Sequence, residues 1–284
     1  MTSVENQLPN RPVNQLPDLV FLKLGGSLIT DKTRVEQARP RTIRRLAREI
    51  KAARADRSDL RLVLGHGSGS FGHVAARRHG TRDGIKDAAG WIGYAEVAAA
   101  AARLNQIITD IFIEEQVPVI SLPPSASARC EDGRLIYLDT FGLKAALRHN
   151  LVPLVQGDVA LDGVRGATIV STEDVFVYLA NELQPRRVLL AGEVSGVYEN
   201  AAMTGRVIDI ITPRNVGQYS SAFGGSHGTD VTGGMIGKVR QMLELVMQQP
   251  VIEVRIFSGA KPHQVQRLLV DESASIGTVI KYER

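Results

Sequence analysis

"LRLVLGHGSGSFGH", residues 60–73, runs from an apolar stretch into a turn with glycines spaced G-x-G-x-x-G (Gly67, Gly69, Gly72) and closes on a histidine. Its first six residues read as a buried strand, the glycines as a tight turn, and the residues from Ser70 onward as a helix. As a string the turn matches a dinucleotide-binding motif, but such a site also needs an acidic residue near the end of the next strand to hold the ribose. The next apolar run, "VPVISL" (117–122), comes far too late and continues into "PPSAS" without a carboxylate. A dinucleotide site is therefore excluded. What remains is a nest of backbone N–H groups at a helix N-terminus, which favours an anion. His73 falls in the first turn of that helix, where its ring can reach the same anion or bond to its own turn; His66 is taken as structural.

Strand-like runs recur along the chain at 18–24, 60–65, 117–122, 151–157, 186–192, 251–257 and 276–282. Helical patterns lie between them at 40–56, 91–115, 139–149, 172–183, 234–249 and 261–270. This alternation predicts an α/β protein with a mostly parallel central sheet covered by helices on both faces. The segments 125–138 and 196–230 are less regular and read as hairpins or lids. No internal repeat or linker divides the chain, so residues 18–284 are expected to form one domain behind a disordered, polar tail at 1–17. In such sheets ligands bind beyond the carboxyl ends of the strands.

Composition narrows the function classes. The chain has 284 residues, 44% hydrophobic and only 5% aromatic, with 27 glycines, a balance that suits buried parallel strands. The net charge is +4, and the most basic stretch, 39–57, carries its apolar residues at helical spacing, so its arginines read as a solvated face and not as a nucleic-acid surface. The single cysteine, Cys130, excludes an intramolecular disulfide and a cysteine-rich metal site. No apolar run reaches membrane-spanning length and no signal peptide is visible; a cytoplasmic location without membrane contact is expected.

Each strand end carries small residues or charge. "KLGGSLITDK" (23–32) follows the first strand, with Gly25 and Gly26 in a tight turn and Lys23 and Lys32 on either side of it. No G-x-x-x-x-G-K-[ST] follows either of the first two strands, so a Walker A loop is excluded. "QGDVALD" (156–162) offers Gly157 and Asp158. "STEDVFVYLA" (171–180) opens a helix with Asp174 in its first turn, where a carboxylate also simply favours the helix dipole. "DVTGGMIGKV" (230–239) places Lys238 just after a glycine turn, at a position equally suited to a solvated lysine. Several glycine turns on one sheet edge, with lysines beside them, suggest two anions held face to face, as phosphoryl transfer requires.

Taken together and in this order, these stretches and "GVYE" (196–199) resemble the amino acid kinase superfamily, and within it the isopentenyl phosphate kinases, over residues 18 to about 282. The resemblance implies a three-layer αβα sandwich with an acceptor lobe at about 18–170, an ATP lobe at about 171–284, and a homodimer. It implies ATP and Mg²⁺ as cofactors and an isoprenoid monophosphate as acceptor. By the same resemblance Lys23 and Lys238 contact the ATP phosphates, Gly25, Gly26, Ser27 and Gly69 approach them, Lys32 stabilises the transferred group, and Asp174 orients the lysines. His73 would bond the acceptor phosphate, with Ser68 and Gly157 around it. Glu193, Gly196, Val197, Tyr198 and Gly234 fall on the nucleotide side, and no residue is assigned as a metal ligand. The helix at 90–112, through Trp91, Ile92, Tyr94 and Val97, offers an apolar wall for the acceptor tail, although the same spacing fits plain core.

The chain departs from the family pattern in three places. "GEVSGVY" stands where the family has T-D-V-D-G-V-Y, "STED" where it has S-G-D-D, and Ser68 where a smaller residue is usual. A fosfomycin kinase, or a non-catalytic sensor of the same fold, is the alternative.

Overall fold

Strand β1 (Leu19–Leu24) is buried along its whole length and lies in the middle of an eight-stranded sheet, parallel to β2 (Arg61–His66) on one side and β9 (Arg187–Gly192) on the other. The computed structural model describes residues 18–200, 202, 205–219 and 234–283, apart from the side chains of residues 73, 74, 77 and 78. The expected tail at 1–17 and the beginning of the "DVTGG" turn lie outside the described residues.

Beyond β2 come β6 (Val152–Gln156) and then β3 (Val119–Ser121), both parallel. Beyond β9 come β11 (Glu253–Ser258), β12 (Thr278–Ile280) and β10 (Ile210–Ile211), with β12 antiparallel to β11. The sheet therefore runs without a break from the N-terminal to the C-terminal half of the chain.

Alternation along β1 sorts its side chains between two cores. Leu19 and Phe21 join the core formed with α5 (Phe141–Arg148), α6 (Thr172–Leu183) and α7 (Gly234–Gln248). Val20, Leu22 and Leu24 join the core formed with α2 (Pro40–Asp56), α4 (Ala88–Glu114) and α8 (Gln264–Val270). The result is the expected three-layer sandwich. In α2, Pro40 starts the helix, where its missing N–H costs nothing, and Arg44 and Arg48 pair with Glu115 of the turn after α4. The arginine stripe is thus a solvated, ion-paired face.

A second sheet of four strands is less visible in the sequence. Its order is β5 (Arg134–Tyr137), β4 (Arg129–Glu131), β7 (Asp158–Asp162), β8 (Gly166–Val170). The β4–β5 hairpin is the irregular segment 125–138. Strands β7 and β8 begin or end on Asp and Gly, which read as turn residues. In the fold Asp162 accepts hydrogen bonds from the backbone N–H of Gly133 (2.7 Å), Arg165 (2.8 Å) and Val164 (2.9 Å), so one carboxylate secures two turns. Cys130 is buried in this sheet, and burial pushes its thiol up to about 11.

Candidate active site

The strand ends meet through their turns. After β1 the chain enters the short α1 (Gly26–Ile29), and after β2 it turns at Gly67 into α3 (Gly69–His79). Gly67 N–H donates to Leu24 O (3.0 Å), Gly25 N–H to Ala191 O (2.8 Å) and Gly157 N–H to His66 O (3.2 Å), continuing the sheet's ladder past its edge. The turns at Gly25–Gly26 and Gly67–Gly69 are in backbone contact, since a Cβ on Gly26 would lie 2.6 Å from the Gly69 nitrogen. Ser68 occupies the N-cap position of α3, and Gly69 and Ser70 open its first turn. These positions bring the residues expected to approach both phosphates to one place.

Lys23 points to the α6–α7 side of the sheet, the side that Phe21 also faces, by the two-residue period of the strand. Helix α6 reaches this strand end because Gly65 on β2 has no side chain; a Cβ there would lie 2.6 Å from Thr172 Cγ2 and 2.8 Å from the Phe176 ring. Thr172 Oγ1 also donates to His66 O (2.6 Å), fixing the first turn of α6 against β2. The carboxylate delivered to Lys23 is Glu173. One oxygen forms an ion pair with the Lys23 ammonium, and the other lies 3.7 Å from Lys238 Nζ, one turn into α7. Lys23 and Glu173 are both buried, and Lys238 is partly exposed. Burial lowers the Lys23 pKa, with Glu173 opposing it. Burial opposes ionisation of Glu173 too, but attraction to Lys23 and Lys238 outweighs it and takes the pKa down to about 2.

Asp174, the residue expected to orient the lysines, makes its direct hydrogen bonds elsewhere. Its backbone N–H donates to Ser171 Oγ (3.0 Å), and its Oδ2 in turn receives the Ser171 N–H (2.7 Å) and hydroxyl (2.6 Å), while Oδ1 receives Gln241 Nε2 (2.7 Å). Asp174 closes a capping box and ties α6 to α7; Glu173 bridges the lysines. Successive helix residues point about 100° apart. Both acids belong to the same first turn, so sequence spacing alone could not separate them.

The remaining sites fall on two sides of this cluster. Lys32 is exposed on the loop after α1. His73 lies in α3, but its side chain is outside the described residues. On the other side, Val197 N–H donates to Thr278 Oγ1 (2.8 Å) and Tyr198 bridges to Val207, so residues 196–198 are anchored beside β12. Glu193 is exposed and pairs with Arg39 (2.7 Å). Gly234 opens α7, one turn before Lys238. In the expected tail wall, Val97 is buried and Tyr94 partly so, whereas Trp91 and Ile92 face outward.

His66, at the end of β2, is fully buried. Its Nδ1 lies 3.2 Å from Gly67 O and its Nε2 3.1 Å from Asn105 Nδ2, whose Oδ1 accepts the Ser121 hydroxyl (2.6 Å). This chain of bonds requires a neutral ring with the proton on Nδ1. Burial lowers the pKa from 6.5 to about 4. Because the unfolded chain then binds more protons, stability falls as pH drops from 6.5 to 4, by about 3 kcal/mol from this residue. Urea denaturation across that range should show the slope in the parent and a flatter one in His66→Asn. Equal slopes would rule out His66 as its source.

Comparison with known proteins bears on the family and the fold. The amino acid kinase family model matches residues 18–258. Isopentenyl phosphate kinase of Methanocaldococcus jannaschii is 33% identical over 260 residues, covering 89% of this chain and 96% of its own. Its namesake from Haloferax volcanii is 39% identical over 230 residues, covering 80% and 88%. A solved structure of isopentenyl phosphate kinase superimposes with a TM-score of 0.78 at 30% identity, covering 93% of this chain and 100% of its own. The chain belongs to the amino acid kinase family and, within it, stands among the isopentenyl phosphate kinases.

Proposed function

We propose that the chain transfers the γ-phosphoryl group of MgATP to isopentenyl phosphate, forming isopentenyl diphosphate and ADP. The observation that carries this is the Lys23–Glu173–Lys238 cluster placed where the two glycine turns touch. An oxygen of the acceptor phosphate attacks the γ-phosphorus in line. As that bond forms, the bond to the β–γ bridging oxygen breaks and its electron pair leaves with ADP. The acceptor is already an anionic nucleophile, so no strong general base is needed and no phosphoenzyme forms.

Catalysis then rests on positioning and on cations facing the transferred group. Lys23 and Lys238 hold the nucleotide phosphates, and Glu173 lies between the two ammoniums and supplies Lys23 with its counterion. Lys32 stabilises the moving phosphoryl group. Ser68 and Gly157 surround the acceptor phosphate with His73, Gly25, Gly26, Ser27 and Gly69 approach the nucleotide phosphates, and residues 193–198 lie on the nucleotide side. The carboxylates at the start of α6 are already engaged, Glu173 by lysines and Asp174 by Ser171 and Gln241. Magnesium therefore belongs to this reading as part of the MgATP substrate, held by phosphate oxygens and water. The acceptor half at 18–170 and the nucleotide half at 171–284 meet along β1 and β9. A cytoplasmic homodimer completes the proposal.

ADP release measured with isopentenyl phosphate and with fosfomycin tests the acceptor. Turnover confined to isopentenyl phosphate is expected; preference for fosfomycin would reassign the enzyme, and binding without ADP release would make the chain a sensor. His73→Ala should raise the acceptor KM at least about tenfold and leave that of ATP nearly unchanged. Lys32→Met should lower kcat roughly ten- to hundredfold. Equal changes in both KM values, or near-parent turnover, would remove the respective role.

A further inference from the structure

The loop that carries Lys32 has little core beneath it. Of residues 31–37, none is buried, and Val35 is 67% exposed. Below it lies a cavity of about 340 Å³, lined by Val35, Glu36, Phe71, Ala75, Ala99 and Arg103 among others. Apolar burial therefore cannot set the position of this loop, and polar ties must do so. At its base, Thr30 bridges Ala38, and Arg39 N–H donates to Ile29 O (2.8 Å). On its acceptor side, Gln37 N–H donates to Ser70 Oγ (3.2 Å) and Glu36 N–H to Ser70 O (3.3 Å).

A further tie lies at the cavity, between two residues that line it. Glu36 adopts a left-handed backbone conformation, φ 51°, uncommon for a residue with a side chain. This conformation accompanies a bidentate pair with Arg103 of α4: Arg103 Nε donates to Glu36 Oε2 (2.9 Å), and Nη2 donates to Oε1. At the loop's other end, Arg39 pairs with Glu193 in the turn after β9 (2.7 Å). The Lys32 loop is thus strung between the acceptor helices and the nucleotide side.

We propose that the Glu36–Arg103 pair holds Lys32 in register with the transferred phosphoryl group, making Glu36 and Arg103 positioning residues for the reaction. The inference rests on the role given to Lys32 under Proposed function. An exposed ion pair contributes little to global stability. A catalytic group displaced by about 1 Å, in contrast, costs about 100-fold in rate. The pair's effect belongs in turnover.

Steady-state kinetics of Glu36→Gln and Arg103→Gln should show kcat down roughly five- to tenfold, the ATP KM within about twofold of the parent, and melting close to the parent's. In a Lys32→Met background the same substitutions should have no further effect on kcat. The reversed pair, Glu36→Arg with Arg103→Glu, should recover much of the loss, and Arg48→Gln, which breaks a comparable surface pair, should leave kcat unchanged. Single variants within about twofold of parent kcat, a loss undiminished in the Lys32→Met background, or a reversed pair no better than the single variants would overturn the inference. If Lys32→Met itself turned over normally, the assignment of Lys32 would fail instead, and the same series reports that separately.

Discussion

Glu173→Gln is expected to lower kcat about a thousandfold at pH 8.5 and far less at pH 6, if one positioned charge contributes about 10²–10³ as oxyanion donors do. The substitution keeps shape and removes the charge between two ammoniums. Lys23 would then be buried without its counterion, and its pKa, already lowered by burial, would fall further toward neutrality. Uncharged, it no longer stabilises the phosphates; lowering the pH restores its proton and with it much of the rate. Breaking a buried pair on one side also costs about 3–5 kcal/mol of stability. Asp174→Asn is the contrast: it weakens a helix cap, at about 1 kcal/mol, and should leave kcat within a few-fold. A kcat deficit in Glu173→Gln that is the same at both pH values, or greater kinetic damage from Asp174→Asn, would return the lysines to Asp174.

Gly26→Ala should lower kcat/KM about 100-fold and destabilise the protein by about 2–3 kcal/mol, since one methyl group has no space. Its Cβ would lie 2.6 Å from the Gly69 nitrogen and 2.7 Å from the Gly69 Cα. Both neighbours are backbone and cannot rotate away, so the turns after β1 and β2 must separate. Those are the turns assigned to the donor and acceptor phosphates. Gly217→Ala, where an added Cβ meets nothing within 4 Å, is the matched control. Kinetics and urea denaturation of the two variants would decide; near-parent values for Gly26→Ala would show that the contact is dispensable.

Much of the frame is legible in the sequence. The buried runs of β1, β2, β6, β9 and β11 lie close to where apolar periodicity puts them, and α2 and α6 match their expected ranges. Strands β7 and β8 are not legible, because their Asp and Gly ends look like turns until Asp162 is seen bonding the N–H groups of two turns. Glu36 and Arg103 give no signal either, being far apart in sequence and ordinary as surface charges.

The sequence by itself determined that lysines and glycine turns follow successive parallel strands, because strand and helix periods and turn chemistry are local properties. It also carried the family resemblance, through motifs whose order is written along the chain. Only the tertiary structure decided which partner each charge receives. Glu173 and Asp174 are adjacent, yet about 100° of helix rotation aims one at Lys23 and Lys238 and the other at Ser171 and Gln241. That choice depends on how α6 lies across Gly65, and so on contacts between segments far apart in the chain.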